Sequence, residues 1–253
     1  MSFTRTGLSG FILLAALAVI ILPAGWAHPE DEICRLDPAL CDALESFDSE
    51  TPGGRMMMDA PAVERSVWDT IGLYLKLGFE HILPKGLDHI LFVCALFFAS
   101  TRLKPLLWQV SAFTVAHTIT LGLAIAGWVS VPGEIVEPII ALSIAFVAIE
   151  NIVFKDMQKW RPLIVFGFGL FHGLGFAGVL TELGLPAGQL VPALLSFNVG
   201  VELGQLTIIA IMYAVLRWFF HADWYQTWLV RAANGAIAAL AIWWTIERVF
   251  LGG

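Results

Sequence analysis

Five apolar runs of at least 20 residues, at 105–128, 134–154, 162–183, 189–220 and 232–251, constrain this chain more than any other feature. At ~1.5 Å per residue, each is long enough for the ~30 Å hydrocarbon core of a bilayer. Backbone donors and acceptors find no water there, so such a run is read as a helix that satisfies them internally. Composition agrees. The chain is 58% hydrophobic and 14% charged, with mean hydropathy +0.79, against about 45–50% and about 25% for a soluble domain. The expected fold is all-α, a polytopic transmembrane helical bundle. No basic patch is present, which excludes nucleic acid as a partner.

Ahead of these runs, residues 1–27 read as a cleaved signal peptide, with Arg5 before an apolar stretch at 11–22 and Gly25-Trp26-Ala27 as a small-x-small site. Residues 28–65 hold ten acids and three arginines, so the whole formal charge of −7 sits in this one segment. They read as an acidic extracytoplasmic arm. An oxidising compartment makes Cys34 and Cys41 a disulfide candidate. Residues 66–253 form the transmembrane helical domain. Within it, 68–82 is helical in pattern but only 15 residues long, ~22 Å, which suits an interfacial or re-entrant helix. Pro84 and Gly86 break it. A short span at 86–100 follows, giving six spans with the five long runs.

Positive charge supports that count. With the arm outside, Arg102 and Lys104, then Lys155, Lys159 and Arg161, then Arg217 and Arg231 all fall in cytoplasmic loops. The outer loops, 129–133 and 184–188, carry no lysine or arginine. The chain is expected to lie across a membrane, with the bilayer itself as a partner.

Ionisable side chains inside such a bundle mark function by default. His81, Asp88 and His89 stand at the start of the first span, His117 in the second, Glu150 and Asn151 in the third, and His172 in the fourth. Asn198, Glu202 and Gln205 recur at i, i+4 and i+7 in the fifth, hence on one helix face. Histidine with carboxylate is a usual ligand set for a borderline transition metal. His81, Asp88, His89, His117, His172 and Glu202 are therefore the expected metal ligands. Asn198, Gln205, Glu150 and Asn151 are the supporting polar lining, the last two as an inner station. The first three residues would capture the ion near the outer surface, and His117, His172 and Glu202 would hold it at mid-depth.

The motifs resemble those of the HupE/UreJ family of bacterial membrane proteins, in its second, signal-bearing branch. The likeness rests on Gly78-Phe79-Glu80-His81 with Gly86-x-Asp88-His89-x-x-Phe92, and on Phe113-Thr114-x-Ala116-His117-Thr118-x-Thr120-Leu121. It continues through Glu137-Pro138, Ala141-Leu142-Ser143-Ile144, Phe171-His172-Gly173-Leu174-Gly175-Phe176-Ala177 and Phe197-Asn198-x-Gly200-Val201-Glu202-x-Gly204-Gln205. The resemblance implies transport of a divalent metal ion, nickel or cobalt, across a bacterial inner membrane.

Two other functions fit the same residues. Three histidines and an aspartate can hold zinc with an open water position, and Glu202 can serve as general base, as in an intramembrane hydrolase. An accessory protein supplying metal to a metalloenzyme or to a transport partner is the third. No Walker-type phosphate loop occurs, so a transporter here would run on a gradient or potential.

Overall fold

The computed structural model describes residues 66–154, 157–182 and 188–251. The signal peptide, the acidic arm and the Cys34–Cys41 pair lie outside the described residues. Those described form seven α-helices: α1 Val67–Ile82, α2 Leu87–Phe98, α3 Leu103–Ile125, α4 Gly133–Val153, α5 Arg161–Glu182, α6 Leu190–Leu216 and α7 Arg231–Phe250. A 3-10 turn, Arg217–Phe219, and a π-helical turn, Tyr225–Val230, join the last two. No strand occurs among the described residues.

Local signals explain the first helices. Ser66 caps α1 by accepting from the Asp69 amide at 3.2 Å, and Asp69 adds negative charge to the first turn. Pro84 and Gly86 end it, and α2 sets off at 68°. Every residue of α2 from His89 to Phe98 is buried. A helix enclosed on all sides belongs at the centre of the bundle.

Helices α3, α4, α6 extended to Phe219, and α7 extended back to Tyr225 are each long and apolar enough to cross a membrane. Arg161–Ala177 of α5 is a shorter apolar helix. The α1–α2 pair passes the same test only when its two parts are taken together.

Helix directions follow from the contacts. Asn198 meets His117, and Glu202 meets Thr114 and Ser111, so α6 runs antiparallel to α3. Gly169 abuts Phe113 and Gly173 abuts His117, so α5 runs parallel to α3. Ser143 meets His172 and Asn151 meets Asn234, so α4 opposes both α5 and α7. Helix α1 runs alongside α6 in the same sense: Gly200 abuts Leu75 and Gly204 abuts Ile82. His89 lies beside His172, at the level of Ser143, and Ala95 beside Asn151, so α2 advances in the direction of α4. Helices α4 and α6 share one direction. Therefore α1 and α2 do too, as two halves of one broken span.

Residues 68–82 thereby pack one face, Thr70, Tyr74, Gly78 and Ile82, into the bundle while Trp68, Gly72 and Lys76 stay exposed. Glycines decide the matter. A Cβ on Gly78 or Gly200 would collide with the backbone of the facing helix, so only glycine lets α1 and α6 touch main chain to main chain. Helices α3 to α7 each correspond to one of the long apolar runs, and the α1–α2 pair to the two shorter stretches before them. Exposed tryptophans collect at both ends. Trp68 and Trp128 mark one, and Trp108, Trp160, Trp218 and Trp228 mark the other, as side chains do at the two membrane interfaces. The protein is a multi-pass membrane protein.

Candidate metal centre

The break in the first span makes the site. His81 lies in the last turn of α1 and His89 in the first turn of α2, and the bend brings their ring centroids to 4.8 Å. Close packing supplies two more imidazoles. Gly173, hard against His117 and Thr120, lets α5 press onto α3, while His172 reaches within 4.9 Å of His89. His117 lies 6.1 Å from His89 and 6.3 Å from His81, centroid to centroid. Ligand atoms of His81, His89 and His117 all lie within 4.8 Å of one another. Four histidines from four helices thus converge.

Depth follows from Ser143, the partner of His172, which is ten residues from each end of α4 and so ~15 Å from either. The group is at the middle of the bundle. His81 and His89 were expected near the outer surface. They sit deeper because α1 precedes them as half a span.

Each ring leaves one buried nitrogen without a partner. His81 Nε2, His89 Nε2, His117 Nε2 and His172 Nδ1 are buried and make no hydrogen bond among the described residues. Orphaned buried nitrogens are rare enough to need a reason. The second nitrogens of two rings supply one. Asn198 Nδ2 donates to Leu194 O at 2.8 Å, so Asn198 Oδ1, 3.0 Å from His117 Nδ1, accepts a proton from that ring. Ser143 Oγ donates to Ile140 O at 2.7 Å and so accepts from His172 Nε2 at 3.1 Å. Both tautomers, read from the network, leave the lone pair on the unpartnered nitrogen, Nε2 of His117 and Nδ1 of His172. Outer-shell bonds of this kind orient metal-binding imidazoles.

The set fits a transition ion. Two nitrogens ligating at ~2.1 Å each are at most ~4.2 Å apart, so movements of about an ångström close the group of His81, His89 and His117. Phe92, Phe113, Phe176 and Phe197 wall the group, with Phe176 4.0 Å from His81, centroid to centroid. No carboxylate belongs to it.

The expected acidic ligands lie elsewhere. Asp88 bonds Arg248 of α7 at 3.0 and 3.3 Å, and Arg248 also donates to Glu137 O. Glu202 is one helical turn from Asn198 and accepts from Ser111 Oγ at 2.7 Å and from Thr114 Oγ1. Gln205 Oε1 completes that cluster, 3.0 Å from Thr114 Oγ1. Glu150 and Asn151 stand at the opposite end of α2 from the histidines, against Arg161. Sequence reasoning passed over Ser143, Arg161 and Arg248. Ser143 stood in a quoted motif, and only its place opposite His172 gives it a role.

Four to five candidate spans and a shorter apolar helix around a buried histidine group define a membrane protein with an intramembrane site able to bind a metal. The family is shown directly: the model described as HupE / UreJ protein matches residues 57–248, and the chain belongs to that family. No curated protein and no solved structure matches it.

Proposed function

We propose that the protein carries a divalent transition metal ion, nickel or cobalt by family, across the membrane through the four-histidine group. One observation carries this reading: four imidazoles gather at the middle of the bundle, each with a buried nitrogen that makes no hydrogen bond among the described residues, and ligand atoms of three of them lie within 4.8 Å of one another. The ligands are neutral, so a bound ion keeps its double charge in a medium that penalises charge. Such a site holds its ion less firmly than one with thiolate or carboxylate ligands and releases it more readily. That suits cargo. The hydrolytic reading needs a base beside the ion, and Glu202 is instead engaged by Ser111 and Thr114.

Arg102, Lys104, Lys159, Arg161, Arg217 and Arg231 lie toward one end of the bundle, given the helix directions above. We take that end as cytoplasmic, with the N-terminal arm on the other side. A negative interior then drives a divalent ion inward by ~4.6 kcal/mol per 100 mV, two charges at ~2.3 each.

The test is Ni²⁺ and Co²⁺ flux into proteoliposomes, wild type beside His89→Ala and His172→Ala. Flux in the wild type that falls to the level of protein-free vesicles in both variants, each with unaltered helical circular dichroism, supports the proposal. Equal flux in all three proteins overturns it.

A further inference from the structure

Beyond the histidines, the cytoplasmic-side end of α2 holds a buried carboxylate that no hydrogen bond satisfies. Glu150 is 5% exposed, and neither Oε1 nor Oε2 accepts a hydrogen bond among the described residues. Arg161, 2% exposed, pairs with it by charge but without a hydrogen bond: Nε stands 3.5 Å from Oε2 and donates to nothing among the described residues. A structural arginine–carboxylate pair is short and bidentate, at about 2.7–2.9 Å. Here Nη2 of Arg161 bonds Asn151 Oδ1 at 2.8 Å instead. Glu150 has a compensating charge beside it and four lone-pair sites unmet. The same residues line a small cleft, partly open to solvent, together with Met157 and Gln226.

We propose that Glu150 and Asn151 form a second cation station, which the Arg161 guanidinium fills until the transported ion displaces it. The inference rests on the transport reading above and adds the step after the histidines. Swinging Arg161 aside would free three oxygens at once, both of Glu150 and Oδ1 of Asn151. The last is already aimed, because Asn151 Nδ2 donates to Ala95 O at 2.7 Å and to Asn234 Oδ1 at 2.8 Å. Ala95 is six residues beyond His89 on α2, ~9 Å along the axis. An ion leaving the histidines along this helix meets the oxygen set next. Oxygen ligands hold nickel or cobalt less strongly than imidazole does, so the order of the two stations favours release. Arg161 returning to Asn151 would reset the station and bar backflow.

The experiment uses full-length protein and Co²⁺ as the probe, with the visible absorption band of nitrogen-ligated cobalt reporting the histidine group separately. Arg161→Gln is expected to bind one more Co²⁺ per chain than the wild type, with the weak absorption of an oxygen-ligated ion. Glu150→Gln/Arg161→Gln is expected to lose that extra ion and keep the histidine band. Glu150→Gln alone leaves the buried Arg161 charge without its partner. It is therefore read only where the histidine band and the helical circular dichroism match the wild type, and there it is expected to cut Co²⁺ flux in proteoliposomes at least 10-fold. Wild-type stoichiometry in Arg161→Gln, or wild-type flux in Glu150→Gln, overturns the station while the histidine band persists. A wild type without that band removes the transport reading, and the station with it.

Discussion

Ser143 Oγ lies 2.7 Å from Ile140 O and 3.1 Å from His172 Nε2, and its single proton goes to the carbonyl. The hydroxyl can therefore only accept from the imidazole. That one bond holds His172 in the tautomer whose unpartnered Nδ1 carries the lone pair.

Ser143→Ala should consequently lower metal affinity by about 10- to 100-fold, the usual effect of an outer-shell change. Stoichiometry should stay the same. It leaves His172 Nε2–H buried without an acceptor, at about 1–3 kcal/mol, so the metal-free variant should also melt earlier. Competition titration against a chelator of known affinity, with melting followed in parallel, checks both. Unchanged affinity would mean that the serine only packs.

Metal should stabilise the fold. The four unpartnered nitrogens are desolvated in the metal-free protein and gain partners on ligation. Binding to the native state alone adds about 2.7 kcal/mol when free metal is 100-fold above Kd. A rise in the melting temperature of the detergent-solubilised protein with Ni²⁺ or Co²⁺, reversed by chelator and absent in His89→Ala, is the expected result. A flat melting temperature across saturating metal would count against the histidine group as a binding site.

Asp88 is adjacent to a metal-facing histidine in sequence but turns toward Arg248. Asp88→Asn should leave the cobalt band of the histidine group in place. Its effect should appear in packing instead: a double-mutant cycle with Arg248→Ala should return a coupling of about 1 kcal/mol, since both side chains are partly exposed and solvent screens the pair. Loss of the cobalt band in Asp88→Asn would make the aspartate a ligand.

The helices were legible in the sequence because apolar length in a bilayer leaves the backbone little choice. His81, His89, His117 and His172 were legible for the related reason that polar groups in lipid are costly. Their meeting point was not. It depends on α1 being half a span, and the 15-residue pattern at 68–82 fits a surface helix as well as a buried one. The carboxylates misled for another reason. Spacing puts Glu202 on the face of Asn198, yet whether a carboxylate joins a metal or a pair of hydroxyls is decided by Ser111 and Thr114 on another helix. Likewise nothing near Asp88 in the chain announces Arg248, 160 residues later.

The close approach of α1 to α6 can be tested at Gly78. A methyl group there would fall onto the backbone carbonyl of Phe197, and a main-chain atom cannot rotate away. Gly78→Ala must therefore push α1 off α6, and overpacking of this kind costs about 1–3 kcal/mol. His81 is three residues further along α1, on the same face, so its nitrogen moves with the helix. The variant should lose stability and metal affinity together. Gly72 is the control on the same helix, because a methyl group there meets nothing within 4 Å. Alanine is the better helix former, so Gly72→Ala should keep metal affinity and be as stable as the wild type or more so. Equal metal affinity in the two variants would show that the seat of α1 on α6 does not position His81.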